Sequence, residues 1–85
     1  MVRMTVDNTT QRHIDVQIER LEKLTGLKLN DDILSALETD NHRLTSIRAD
    51  TTETDITHRY DSKEEFYNVV YAMVQLMEEI ERQKQ

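Results

Sequence analysis

Three histidines, each beside an arginine in the sequence, are the residues whose side chains are best suited to chemistry. They are His13, His42 and His58. Imidazole is a common metal ligand and a common general base. A hairpin could bring His42 and His58 together, but two histidines without a third ligand at a recognised spacing make a weak metal site. The adjacent arginines also disfavour a bound cation. We therefore interpret all three as solvated or edge-strand residues and expect no metal site.

The other chemical groups of the chain form no recognisable catalytic motif. The sequence contains no cysteine, no Gly-x-Ser-x-Gly nucleophile motif and a single glycine, too few for a loop that holds phosphate. Its 17 acidic residues form no pair with the features of an acid–base dyad in a shielded cleft. We predict that the protein is not an enzyme and needs no cofactor.

A basic strip on a predicted hairpin is one candidate for binding a partner. Arg43, Arg48 and Arg59 could dock an acidic protein or a nucleic-acid backbone. The interpretation that we favour instead pairs them with the acids at 50–55 across the strands. The net charge of −6 also argues against nucleic acid as a partner, because such binding expects a basic surface. We interpret the acidity as a source of solubility. The alternative is that the protein is an inhibitor whose carboxylates mimic the phosphates of nucleic acid.

The clearest structural signal is a capped helix predicted over residues 62–82. Ser62 and Glu65 form a Ser-x-x-Glu capping box, and the acids after Ser62 suit the positive end of the helix dipole. An apolar stripe then runs from Phe66 to Ile80 with helical spacing. This segment is therefore predicted to pack against the rest of the protein.

The same helix is apolar around more of its circumference than one core requires. Tyr67, Tyr71 and Val74 widen the stripe on one flank. The apolar arc then reaches roughly 220°, whereas a helix lying on one core needs a little over about 100°. We predict that these three residues form an interface, most simply that of a homodimer.

The first half of the chain is predicted to contain a helix over about 9–25, after a loose segment at 1–8. Asn8 and Gln11 are spaced as a capping pair, and apolar residues follow at helical intervals. Gly26, the only glycine, stands where a helix would end in the left-handed conformation.

Between this helix and the hairpin, the pattern predicts a short strand at 27–29 and a helical segment near 31–38. Asn30 would cap that segment, with acids in its first turn. Three aliphatic residues would face the core: Ile33, Leu34 and Leu37.

A threonine-rich hairpin is predicted to pair residues 43–49 with residues 54–60. One register places Ile47 beside Ile56, and the other, slipped by three residues, places Leu44 there. The pattern leaves both registers open, because a slip changes which face of a strand is buried.

Together these elements predict an α+β fold, in one domain over residues 1–85. A small antiparallel sheet would be packed by the N-terminal helix and the longer C-terminal helix. The alternative is an all-α helical bundle with one long helix over 31–48. A chain of 85 residues without disulfides is marginally stable alone, which also favours oligomerisation. No apolar stretch is long enough to cross a bilayer and no signal peptide begins the chain, so we expect no membrane association and a cytoplasmic location.

Three short segments carry a resemblance to a known group of proteins. They are the helix end at Leu21–Gly26, the hairpin end at Ile56–Tyr60 and the aromatic-rich helix that begins at Asp61–Glu65. In this order they resemble small phage- and prophage-encoded proteins of unknown function, which have a helix ending in Leu-x-x-Thr-Gly, a small antiparallel sheet and a Ser-x-Lys-Glu helix. The resemblance covers most of residues 14–80, but the chain departs from it at Asn30–Asn41 and lacks a glycine-rich hairpin. It makes a phage or host protein an alternative partner and implies no activity.

Overall fold

The computed structural model describes residues 10–35 and 38–84, which form two helices and one antiparallel sheet of three strands. The elements in chain order are α1 (Gln11–Thr25), β1 (Leu29–Ser35), β2 (Asp40–Ile47), β3 (Glu53–Asp55) and α2 (Lys63–Gln83). The strands are ordered β1-β2-β3, with α1 packed on β1, α2 on β2 and the helices on each other. The α+β prediction is confirmed, and the all-α bundle with a helix over 31–48 is wrong. Neither described helix is long and apolar enough to span a membrane.

Local chemistry sets both ends of α1. Thr10 is the N-cap: its hydroxyl accepts from the backbone N–H of His13, and the His13 ring accepts from the Thr10 N–H. The helix therefore begins at Gln11 rather than near residue 9, and the predicted cap, Asn8, lies outside the described residues, as does the segment 1–8. Gly26 ends the helix as predicted, with φ of 76° and its N–H donated to the carbonyl of Glu22 at 2.8 Å.

The segment after α1 is a strand where the sequence predicts a helix. β1 pairs antiparallel with β2, from Leu29 opposite Ser46 to Ser35 opposite Asp40. The predicted strand at 27–29 therefore begins only at its last residue, and the helical segment at 31–38 is wrong. Acidic residues that would suit the first turn of a helix instead pair with basic residues that are distant in sequence, and these tertiary contacts override the local preference. Ile33 and Leu34 are exposed rather than inward-facing, and Leu37 lies outside the described residues.

The β2–β3 hairpin adopts the second of the two predicted registers. Thr45 lies opposite Asp55, and the N–H of Ile56 donates to the carbonyl of Leu44 at 2.8 Å. The register that places Ile47 beside Ile56 is wrong. After Ile56 the pairing shifts by two residues. Continuing the same register would pair His42 with His58, but His42 exchanges backbone hydrogen bonds with Tyr60 instead. The two histidines are therefore not opposite each other across the hairpin.

The core lies between the helices and the inner face of the sheet. α2 contributes three fully buried residues at four-residue intervals, Phe66, Val70 and Val74. They meet a group of buried aliphatic residues from the other elements: Ile14, Ile18, Leu21, Leu29 and Leu44.

Candidate interaction surfaces

The flank of α2 that the sequence assigns to an interface is largely covered by α1. Val74 is 0% exposed, so it is part of the core and is not available to a partner. The His13 ring of α1 lies edge-on to the half-buried ring of Tyr67, with 6.3 Å between ring centroids. Farther along, Arg20 of α1 forms an ion pair with Glu78. Of the three predicted interface residues, Tyr71 alone is exposed, at 42%.

The opposite flank of α2 is the uncovered one. Leu76 is 61% exposed and Ile80 is exposed, and the half-buried Val69 lies within about 40° of both around the helix axis. The sequence pattern places these residues in the buried stripe. They are uncovered because α1 packs on the other side of α2, where His13 meets Tyr67 and Arg20 meets Glu78. A helical wheel detects the excess apolar arc but does not indicate which flank a neighbour covers.

A concave apolar surface, here called the apolar groove, adjoins this flank. It lies where the end of α1, the start of β1 and the middle of α2 meet, and it has a volume of about 170 Å³. Leu27, Ile56 and Leu76 form exposed parts of its lining, and Leu44 and Met73 line it more deeply. None of its nine lining residues is charged. The groove can therefore accept apolar side chains without desolvating a charge.

The predicted basic strip is divided by ion pairs within the protein. Arg43 and Arg59 both bind the carboxylate of Asp32, at 2.5 and 2.8 Å, and Arg43 also contacts Asp55 at 3.3 Å. The hydrogen bond from Arg43 and the charge of Arg59 lower the pKa of Asp32 from its usual value. Arg48 is exposed beyond the end of β2 and forms no ion pair with a described residue. The pair of Arg43 with Asp55 is of the cross-strand kind that the sequence favours. The sequence does not predict that Asp32 binds Arg43 and Arg59, because its pattern places Asp32 in a helix.

A buried polar cluster joins α1, β1 and β2. His42 is 1% exposed, and its Nδ1 lies 2.9 Å from Oδ2 of Asp31. Since a carboxylate only accepts, this contact requires a proton on Nδ1. Gln11 donates its amide to the same Asp31 oxygen at 2.8 Å, and the ring of Phe66 stacks on the His42 ring with centroids 5.3 Å apart.

This cluster has the imidazole and carboxylate of a general base but lacks a group to activate. Nε2 of His42 is buried without a hydrogen-bond partner in the part of the chain that the structure describes. No hydroxyl or thiol nucleophile contacts it there, as a nucleophilic mechanism would require. Within residues 10–35 and 38–84, no three His, Cys, Asp or Glu residues are grouped to hold a metal ion. The cluster is best described as a polar part of the core.

A second concavity, the acidic groove, runs between α1 and β1. It has a volume of about 480 Å³ and is lined by residues of both elements. Four of these residues are carboxylates: Asp15, Glu19, Glu22 and Asp31. No lysine or arginine is among them, so the groove has a negative potential at neutral pH.

Comparison with known proteins adds no family to these observations. Neither protein-family models, nor curated proteins, nor solved structures match the chain. The resemblance to small phage- and prophage-encoded proteins therefore stays a prediction.

Proposed function

We propose that this protein is a non-enzymatic interaction module that forms a homodimer through the exposed flank of α2 and the apolar groove beside it. The observation that carries the proposal is Leu76, an aliphatic residue that is 61% exposed at the edge of a groove lined by no charged residue. Full burial of one such side chain is worth about 1.5–3 kcal/mol. For a chain of 85 residues, whose own core is small, this gain is a large share of the total stability.

A second copy suits this surface because the projecting and receiving parts are on the same face. In a two-fold dimer each surface contacts its own equivalent, so it must be self-complementary. Leu76 of each protomer can insert into the apolar groove of the other, with Ile80 packed at the edge. Each protomer carries a net charge of −6, which opposes association in general. Near this flank the charge of Glu79 is compensated by its ion pair with Arg82.

Replacing Leu76 by aspartate tests the proposal directly. Because Leu76 is exposed in the single chain, L76D leaves the fold intact but places a charge in the dimer interface. Sedimentation equilibrium at high micromolar concentration is expected to give a dimer for the unmodified protein and a monomer for L76D. Circular dichroism checks that both proteins are folded.

The matched control is Y71D on the other flank of α2. Tyr71 is also exposed, so the same charge is introduced at a surface of similar accessibility. Y71D is expected to remain dimeric. An unmodified protein that is monomeric at high micromolar concentration contradicts the proposal. A dimer dissociated by Y71D but not by L76D assigns the interface to the flank predicted from the sequence.

A further inference from the structure

We infer that the free edge of β1 and the acidic groove beside it bind an extended, positively charged peptide segment, which adds to the sheet as a fourth strand. This surface shares only the buried Leu29 with the lining of the apolar groove of the proposed dimer. The inference rests on the backbone direction of β1, on the shape of the groove and on its charge.

The register of the sheet shows which backbone groups of β1 are unpaired. The N–H of Ile47 donates to the carbonyl of Lys28 at 2.8 Å. Because antiparallel pairs alternate, the backbone groups of Asp31 and Ile33 then point away from β2. Leu29 points the same way, and its N–H donates at 2.8 Å to the carboxylate of Glu22 on α1.

The backbone groups of Asp31 and Ile33 have no such partner among the residues that the structure describes. An unpaired edge of this kind is a template for strand addition, in which the backbone of an extended peptide supplies the hydrogen bonds.

The acidic groove provides selectivity for the side chains of such a peptide. An extended peptide projects alternate side chains to the same side, so every second residue would face α1. There it would meet the carboxylates of Asp15, Glu19 and Glu22 without a competing lysine or arginine in the lining. Ile33 is exposed in the same groove and offers an apolar contact. Lysine or arginine at alternate positions of the peptide therefore matches the surface.

A second copy of the chain is a poor occupant of this edge. In a register centred on Asp31 or Asp32, an antiparallel pair of two β1 strands would place that aspartate directly opposite its own equivalent, and like charges in such positions are destabilising. In such a pair the acidic side of α1 in one protomer would also face the acidic side of α1 in the other. The charge pattern therefore selects a basic partner.

The first experiment measures the binding of a synthetic peptide of about eight residues that alternates threonine and lysine. Titration calorimetry at low salt, where charge pairing is strongest, is expected to detect saturable binding. Two matched peptides are expected to lose it: one with glutamate in place of lysine, and one with methylated amides on the side that pairs with β1. Equal binding of the methylated peptide would mean non-specific charge attraction and would overturn strand addition.

Two variants of the protein test the two parts of the surface. I33P removes one edge N–H, and the pairing of β1 with β2 is kept because that N–H points outward. E19K reverses one charge in the groove. Each is expected to weaken peptide binding about fivefold, the effect of one hydrogen bond or charge pair. The control E81K makes the same charge change at an exposed position of α2 outside the groove, and binding should change by less than about twofold.

Hydrogen exchange distinguishes a free edge from one that is already covered. The amides of Asp31 and Ile33 are expected to exchange rapidly in the protein alone and to be protected once peptide is bound. Protection before peptide is added would assign the edge to another part of the chain or to a second copy, and would overturn the inference. L76D should bind the peptide as the unmodified protein does, so failure here is distinguishable from failure of the proposed dimer.

Discussion

Asp31 and Asp32 are neighbours in β1, yet they lie on opposite faces of the sheet. Because side chains alternate along a strand, Asp31 faces the helices and Asp32 faces outward. The side chain of Asp31 is 7% exposed, against 32% for Asp32. Asp31 contacts the buried ring of His42, whereas Asp32 binds the guanidinium groups of Arg43 and Arg59.

Burial determines what each of these carboxylates contributes. On the inner face, removal of one partner leaves a buried polar group that water cannot reach, which costs several kcal/mol. On the outer face, water and ions screen the pairs, so each is worth about 1 kcal/mol or less. Two adjacent aspartates are therefore expected to differ in their contributions to stability and in salt dependence.

The largest expected effect follows from D31L. The variant keeps a side chain of similar size but leaves Nδ1 of the buried His42 without its acceptor. We expect the free energy of unfolding to fall by about 3 kcal/mol, measured by urea denaturation.

The double variant D31L/H42L shows whether this loss comes from the broken pair. Replacing both partners by apolar residues removes the unsatisfied group, so we expect the double variant to be more stable than D31L alone. If the effects of D31L and H42L simply add, the inner pair is not coupled and the comparison with Asp32 fails.

A smaller effect is expected from D32N. The variant removes the charge that Arg43 and Arg59 share, and we expect a loss of about 1 kcal/mol at pH 7 because solvent screens these pairs. The pKa of Asp32 is lower in the folded protein than in the unfolded chain. Its stabilising contribution is therefore complete above about pH 4 and is lost as the pH falls toward the folded-state pKa. Urea denaturation of both proteins across this range should show their difference shrinking, and a difference that is constant with pH contradicts the assignment.

The smallest expected effect is that of salt. Raising NaCl from about 0.1 to 1 M shortens the screening length from roughly 10 to 3 Å. The stability difference between D32N and the unmodified protein should shrink by a few tenths of a kcal/mol, whereas the loss caused by D31L should not change. Equal salt responses would mean that the two faces are screened alike.

These two aspartates also show where sequence reasoning succeeds and fails. The end of α1 at Gly26 and the start of α2 after Ser62 were predictable, because a cap depends on residues a few positions apart. β1 was not predictable in the same way. An asparagine followed by two aspartates suits a helix start, and the partners that make it a strand are His42, Arg43 and Arg59, which are distant in sequence.

The exposed surfaces follow the same rule. The excess apolar arc of α2 was predictable from spacing, but the flank left open depends on where α1 packs. In the structure Val74 is buried and Leu76 is exposed, the reverse of the prediction. The sequence leaves two hairpin registers open. In the structure Ile56 pairs with Leu44 rather than with Ile47, and Leu44 is buried in the core. Each of these outcomes depends on a contact between separate elements.

The packing of α1 on α2 has a consequence for how the protein is made. These are the first and last elements in the described part of the chain, and the core residues Ile14 and Val74 come from opposite ends of it. The N-terminal end of a chain emerges from the ribosome first. The β2–β3 hairpin can therefore form while α2 is still in the exit tunnel. The apolar sides of α1 and the sheet then stay uncovered, which is the condition under which nascent chains aggregate. Folding is completed only after α2 has emerged.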